Sequence, residues 1–507
     1  MGDELIKYNP FGSYRVGQRE VVEGLIAAYE KGDRVVELCA GTGSGKTLSM
    51  VAAGRAILDR GASRIVYTTP LIKLVEQLGE VKEYGIPTLV GKANYPCLLL
   101  PKLTADECPF KPNEISDSAC VHCPYRKAKN AFYDADYAST TMARFLFDPG
   151  ASKDVDVVMI DESDSLENSL LDNHTLRLHP KIDLDNLKNS ITKWSLEMQG
   201  DLDALEEEYS GIWLKIRGRK PTGAQLRQIQ DTSAKIKTME RNIRKCRKII
   251  GIITSGQEYF VDSDRNLRLI HGRPIFKAFA QRFKMVVLAS GTPTTHLLCR
   301  EYTKISAPHP IEVTRRKVYV LPVGKMSAKS RNKTAPLIAA KIGELHREDH
   351  KNTLVHCNSY GVAQLIQQHL DRDLKVIVQT PETRVEAMEE WSRNRVDTIF
   401  LSVNYTHGVD LAGERFPLNI IANVPYPYLG DEWVQRRSEY DNQAWFINKT
   451  AVAVQQAAGR CTRTPTDFSR TFILDSNFVR FYNINRKVFQ PWFQEALVFM
   501  RRDNNAS

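Results

Sequence analysis

An α/β chain of two parallel-sheet lobes, interrupted by two insertions, is what the 507-residue sequence predicts. Residues 34–50, RVVELCAGTGSGKTLSM, hold a short apolar run, a Gly-rich turn and a helix start. That is the strand, loop and helix order of a phosphate-binding loop. Residues 155–162, VDVVMIDE, form an apolar run ending in two carboxylates. A buried strand of a parallel sheet reads this way when its carboxyl end faces a ligand crevice. The third observation is a second series of such runs: NTLVHCNSY at 352–360, IFLSVNYTHGVDLAG at 399–413 and NIIANVPYPY at 419–428. Strands alternating with helical stretches imply a second parallel sheet.

The length suits about three units of ~150 residues. Hydrophobic residues make up 42% and charged residues 26%, an ordinary globular balance that excludes bulk disorder, a collagen-like fibre and a coiled coil. No run of ~18 apolar residues is present, so no transmembrane helix is expected. The opening MGDELIKYNPFGSYR lacks an apolar signal core. The expectation is a protein that is not secreted, is cytoplasmic (nuclear in a eukaryote), has no membrane partner and is monomeric.

The net charge of +10 is local. Between Lys215 and Lys248 twelve Lys or Arg face two acids, Asp231 and Glu240, so the rest of the chain sums to zero. Upstream, residues 195–209 carry six acids and no base. A basic block of this size attracts a polyanion such as nucleic acid; alternatively the two stretches are arms of a solvated helical hairpin that neutralise each other.

The Gly-rich turn runs through Ala40, Gly41, Thr42, Gly43, Ser44, Gly45, Lys46 and Thr47, with Ala where the pattern begins with Gly. Its glycines let backbone N–H groups converge on phosphate oxygens. Lys46 reaches the β- and γ-phosphates of ATP, and the Thr47 hydroxyl is placed to bind Mg²⁺. Asp161 would hold the same ion, and Glu162 would orient and deprotonate the attacking water.

Four of the nine cysteines, Cys97, Cys108, Cys120 and Cys123, fall in a Pro-rich, polar segment with spacing C-x10-C-x11-C-x2-C. A bound metal would supply the stability that such a segment lacks. Spacing alone allows tetrahedral Zn²⁺ and equally a 4Fe–4S cluster.

The motifs, taken in order, resemble those of superfamily 2 helicases. Residues 40–47 resemble motif I, Thr68-Thr69-Pro70 motif Ia, Asp161-Glu162-Ser163-Asp164 the DEAH box, and Ser290-Gly291-Thr292 motif III. Asn352 to Tyr360 resembles motif IV, Gly408-Val-Asp410 motif V, and Gln456-Ala-Ala-Gly459-Arg460-Cys-Thr-Arg463 motif VI. Arg15 and Gln18 in YRVGQ resemble the adenine-recognising segment. A cysteine segment between motifs Ia and II is similar to the iron–sulfur domain of the XPD/DinG-like helicases. So is a long insertion between motifs II and III: here Ser290 follows Glu162 by 128 residues. The DEAH box ends in Ser163-Asp164 where that family has Ala-His, so the role of the His is not carried over.

The resemblance implies two RecA-like lobes with an Fe–S cluster domain and a helical arch. The expected division is lobe 1 at 1–91, 137–166 and 271–305, the cluster domain at 92–136, the arch at 167–270 and lobe 2 at 306–507. It also implies that Arg460 and Arg463 reach the γ-phosphate from lobe 2, that Gly408, Asp410, Gln456 and Gly459 belong to the ATP site, and that the four cysteines hold a 4Fe–4S cluster, with Zn²⁺ as the alternative. Thr69, Arg126, Lys127 and Lys129 are the expected DNA contacts, and Phe132, Tyr133 and Tyr137 read as core. The implied activity is an ATP- and Mg²⁺-dependent DNA helicase moving 5′ to 3′ on single-stranded DNA, with forked or tailed duplexes as substrates. A translocase or remodeller on DNA or RNA that separates no strands is the rival. Residues 478–500 read as an amphipathic helix on lobe 2.

Overall fold

The computed structural model describes residues 4–41, 43–108, 118–216, 221–349, 352–393, 397–403, 418–462, 464 and 466–500. Thr42, Gly408, Asp410 and Arg463 lie outside the described residues.

Seventeen strands are described: β1 Val35–Cys39, β2 Ile65–Thr69, β3 Thr88–Leu89, β4 Tyr137–Thr141, β5 Val157–Asp161, β6 Leu176–Arg177, β7 Tyr259–Val261, β8 Asn266–Leu269, β9 Met285–Ser290, β10 Thr303–Ser306, β11 Val318–Gly324, β12 Thr353–His356, β13 Val376–Val378, β14 Ile399–Ser402, β15 Leu418–Ile421, β16 Arg470–Asp475 and β17 Leu497–Phe499. The first sheet has the order β10-β1-β9-β5-β2-β4-β3 and the second β13-β14-β12-β15-β16-β11-β17. Every pairing in both is parallel. The continuous apolar runs are explained by this: β5, β9, β12, β14 and β15 are buried along their whole length, as strands covered by helices on both faces must be. The crossovers place the carboxyl ends of β1, β5 and β9 side by side, with Cys39 opposite Ser290 and Asp161 opposite Ala289.

Between β5 and β9 the chain forms a helical hairpin and a small antiparallel sheet, β6-β8-β7. The hairpin is Leu187–Ile216 followed by Gly223–Thr254. The second helix starts at a capping box, Thr222 with Gln225, which satisfies orphan donors at both positions. Near the base, Ile191, Met198 and Leu202 of the first helix pack with Ile243, Cys246 and Ile249 of the second. Near the tip, Tyr209, Ile212, Trp213 and Ile216 pack with Ile229 and with Leu103 of the cysteine segment. The acidic and basic stretches lie on these two helices, but no ion pair among the described residues joins them. Lys237 pairs with Asp106 of the cysteine segment instead, and Lys248 donates to Asn173 at 2.7 Å. Where it is described, the hairpin is joined by apolar packing.

The C-terminal stretch departs from the single helix expected. It forms two helices, Asn477–Asn485 and Pro491–Ala496, before β17. Pro491 explains the break, since proline is accommodated in a helix only at its first turn. Phe478, Phe481, Phe489 and Phe493 fill a core beneath the second sheet. No helix among the described residues is long and apolar enough to cross a membrane.

Candidate active site

β1 ends at the Gly-rich turn, and helix Lys46–Leu58 begins at Lys46. Gly43 and Gly45 have φ of +80° and +75°, a region that side chains other than glycine enter at a cost. A Cβ on Gly45 would also run into the Gln18 side chain. Gln18 itself is 2% exposed. Its amide donates to the Ser44 carbonyl at 3.2 Å and accepts from the Arg15 N–H at 2.9 Å. One N–H of the amide is used on the loop and one lone pair of its oxygen on Arg15, so Gln18 braces the turn in this arrangement. Arg15 does line the cleft.

Across the cleft, β5 delivers Asp161 and then Glu162. The Asp161 carboxylate accepts from the Tyr67 hydroxyl at 2.7 Å and from the Glu162 N–H at 2.9 Å. Burial first, and then the Asp161 charge, push the Tyr67 phenol well above its ordinary range, so it remains a donor. Glu162 has φ +51° and ψ +45°, a left-handed conformation costing ~1–2 kcal/mol for a residue with a Cβ. Its carboxylate lies 4.0 Å from the Lys46 ammonium. Burial opposes the Lys46 charge, but Glu162, Asp161 and Asp164 outweigh it and raise the pKa. Lys46 is held as a cation among carboxylates, ready for an anionic ligand.

The second lobe closes the site with helix Ala444–Ala458, which ends at Gly459. One cleft of about 380 Å³ is lined by Arg15, Gly41, Gly43, Ser44, Gly45, Lys46, Thr47, Asp161 and Glu162 from lobe 1 and by Gln456, Gly459 and Arg460 from lobe 2. Ala40 is buried behind it. Thr47 and Asp161 offer hard oxygen donors on facing walls, the donor type that Mg²⁺ takes.

Asp164 is the residue whose role the sequence left open. One of its carboxylate oxygens accepts from the Ser290 hydroxyl at 2.8 Å, the other from Gln456 Nε2 at 2.8 Å. Its carbonyl accepts from Lys449 at 3.1 Å. It is 4% exposed. A short acid therefore ties the end of β5 to the end of β9 and to lobe 2. Tyr67 and Lys449 were also missed; nothing local in their sequence marks them.

Two comparisons of sequence bear on this site. Residues 16–96 match the DEAD/DEAH box helicase family, and residues 342–496 match the helicase C-terminal domain. A probable ATP-dependent helicase of Methanocaldococcus jannaschii is 24% identical over 215 residues, 35% of this chain and 32% of that protein. The chain thus aligns with about a third of that curated relative. In structure, it is similar to an XPD helicase, with a TM-score of 0.62 and 15% identity over 96% of this chain and 100% of that one. It is also similar to Xpd4 of S. tokodaii, with a TM-score of 0.57 and 16% identity over 96% and 99%. The chain carries DEAD/DEAH box helicase and helicase C-terminal regions and shares the fold of the XPD helicases. Its two seven-stranded sheets are the RecA-like lobes of that fold.

The cysteine segment is described at residues 92–108 and 118–136. Cys123 precedes helix Pro124–Asp134 and packs beside Tyr125 and Phe132. Cys97 packs with Leu99, Leu100 and Trp213 in a different cluster. Among the described residues no group of three or more Cys, His, Asp or Glu lies close enough to hold a metal. The four thiols as placed do not form a shared ligand set.

A groove of about 1030 Å³ opens between this segment, lobe 1 and the hairpin. Lys92, Tyr125, Lys129, Arg144, Lys237 and Arg244 line it, with Asp106, Asp148, Glu206 and Glu240. Of the expected DNA contacts, Lys129 reaches this groove, Lys127 is exposed and Arg126 is half-buried. Thr69 is fully buried at the end of β2, so its side chain cannot meet a strand. Phe132 and Tyr137 are core, as expected.

Proposed function

We propose that the protein is an ATP-dependent DNA helicase that translocates 5′ to 3′ on single-stranded DNA. The observation that carries this is the single cleft in which Lys46, Asp161 and Glu162 of one lobe meet Gln456, Gly459 and Arg460 of the other. A site divided between two lobes makes ATP a ligand of the closed arrangement, and hydrolysis a reason for the lobes to part.

In this reading the turn from Gly41 to Gly45 cradles the phosphates and Lys46 neutralises the β- and γ-groups. Glu162 orients the attacking water and takes its proton. Arg460 meets the charge that develops on the γ-phosphate, as does Arg463. Thr47 and Asp161 would hold Mg²⁺, which supplies further charge neutralisation at the phosphates. Asp164 links the cleft to Ser290 and to Gln456, so loss of the γ-phosphate is felt in both lobes.

The groove beneath the hairpin is the proposed path of the strand. Its cations suit a phosphate backbone. Family resemblance supports DNA as the track and the 5′ to 3′ direction. Family and donor set alone support a 4Fe–4S cluster at Cys97, Cys108, Cys120 and Cys123, and no step above depends on it. Protein purified without oxygen should contain iron and sulfide, with visible absorption that Cys120→Ser removes; zinc, or neither metal, would contradict the cluster. The activity itself is tested by strand separation on tailed duplexes with ATP. ATP turnover stimulated by DNA without any strand separation would favour a translocase.

A further inference from the structure

The hairpin and small sheet are inserted in lobe 1 by sequence, yet their root is seated on lobe 2. Helix Glu432–Tyr440 of lobe 2 carries the contact. Trp433 Nε1 donates to the Leu269 carbonyl at 2.8 Å. The Arg268 guanidinium lies over the Trp433 ring at 5.4 Å and 3.7 Å from Asp431. Arg436 lies over Phe260 at 4.7 Å, and His271 stacks on Tyr440 at 4.6 Å. Trp433, Val434 and Trp445 are part of the same apolar cluster as Ile243, Ile249, Phe260 and Leu267 of the insertion.

Beneath this contact sits a buried ion pair between the lobes. Arg437 Nη2 is 3.3 Å from Glu167 Oε1, with side-chain exposures of 1% and 2%. Glu167 lies on helix Leu166–Asp172, immediately behind Asp161 and Glu162. The same oxygen accepts from the Gly272 N–H at 3.3 Å, where the insertion returns to lobe 1. Arg437 also pairs with Asp441, which anchors it in its own lobe. Three parts of the molecule converge on one carboxylate: the helix behind the hydrolytic acids, the end of the insertion and lobe 2.

We infer that Glu167 and Arg437 are positioning residues that couple the nucleotide cleft to the inserted hairpin. The inference rests on the helicase reading above. Any rotation of lobe 2 on the nucleotide cycle pulls the root of the hairpin with it, because the root is held to helix Glu432–Tyr440 by polar and ring contacts together. The hairpin helices form one wall of the groove proposed for the strand, so the groove changes width in step with the cleft. Two buried charges at full Coulombic strength resist gradual stretching and suit an arrangement that is either made or broken.

The test uses the full chain with Glu167→Gln, Arg437→Lys and Trp433→Phe. Arg437→Lys keeps the charge but loses the fixed fork of donors; Trp433→Phe keeps an aromatic ring there but removes the bond to Leu269 and part of the indole packing. ATP turnover is measured with and without single-stranded DNA, alongside strand separation. The expected result is DNA-free turnover within about twofold of the parent, with DNA stimulation and strand separation each down about tenfold in Glu167→Gln and Arg437→Lys, inside the range of ordinary coupling between sites. Trp433→Phe should move the same two readings by a smaller factor. The double variant should lose no more than the worse single one, since both residues belong to one interaction. Unchanged DNA stimulation and strand separation would overturn the inference, as would DNA-free turnover falling in parallel with them. A parent protein that separates no strands would instead overturn the helicase reading, and DNA stimulation would still report on the pair.

Discussion

The cleft between the lobes and the insertions above lobe 1 assemble their polar residues by different means. In the cleft, the phosphate loop and the acids sit at strand ends: Gly41 to Lys46 after β1, Asp161 and Glu162 at the end of β5, Ser290 at the end of β9. A parallel sheet brings such ends together whatever the rest of the chain does. In the insertions, nothing repeats at that level. Lys237 finds Asp106, Lys248 finds Asn173, and Trp433 finds Leu269 across 131, 75 and 164 residues. The lesson is that a sheet converts short sequence motifs into a site, whereas a packed hairpin leaves its contacts to side chains that no motif marks.

If the cleft is assembled as described, its largest sensitivity is to the cation from the opposite lobe. Arg460→Ala should lower ATP turnover about a thousandfold while ATP still binds, the scale of a trans arginine; turnover within tenfold of the parent would separate lobe 2 from the chemistry. Lys46→Ala should cost about a hundred- to a thousandfold in turnover, as loss of one aimed donor does. On the other side of the comparison, Arg437→Ala leaves the Glu167 carboxylate buried without its charge partner. It should destabilise by about 3–5 kcal/mol in denaturant unfolding, against under ~1 kcal/mol for the exposed pair Arg19–Glu23. Equal losses at the two pairs would remove the distinction between anchored and solvated charges. Asp164→Ala cuts the residue that ties the two lobes together at the cleft. DNA-stimulated turnover should fall about tenfold, more than DNA-free turnover does.

The smallest effect concerns pH. Burial first, then Arg244 and Lys245, pull the Lys248 ammonium down to about 8. The group is charged at pH 7 and largely neutral at pH 9. Lys248 lies over the ring of Phe147, which lines the groove proposed for the strand, so affinity for single-stranded DNA should fall a few-fold across that interval, and Lys248→Arg should flatten the change. The stability sign is opposite. A depressed lysine pKa penalises the folded state fully below about 8, and the penalty lifts as pH rises toward the unfolded value of ~10.4. A parent whose DNA affinity is flat from pH 7 to 9 would place Lys248 away from the strand.

The same comparison explains what could be read from the residues alone. Both sheets and the cleft set were legible, because a continuous apolar run ending in Gly or in acids has one meaning in a parallel sheet. The bracing contact of the Gln18 amide was not, because the same residue can reach ligand or loop, and here one N–H goes to the Ser44 carbonyl. Thr69 read as a DNA contact and is buried, on an inner strand with β4 and β5 on its two sides. Asp164 broke the DEAH pattern, and the role of the family's His was not carried over to it. Its partners, Ser290 and Gln456, lie 126 and 292 residues away, so the compensation shows only once the lobes are together. The Glu167–Arg437 pair, 270 residues apart, carried no signal at all.

The most direct test is strand separation on two duplexes, one with a 5′ single-stranded tail and one with a 3′ tail, by the parent and by Lys46→Ala. The account predicts separation of the 5′-tailed duplex only, with ATP and Mg²⁺, and none by Lys46→Ala. Separation of the 3′-tailed duplex alone, or separation that persists in Lys46→Ala, would contradict it.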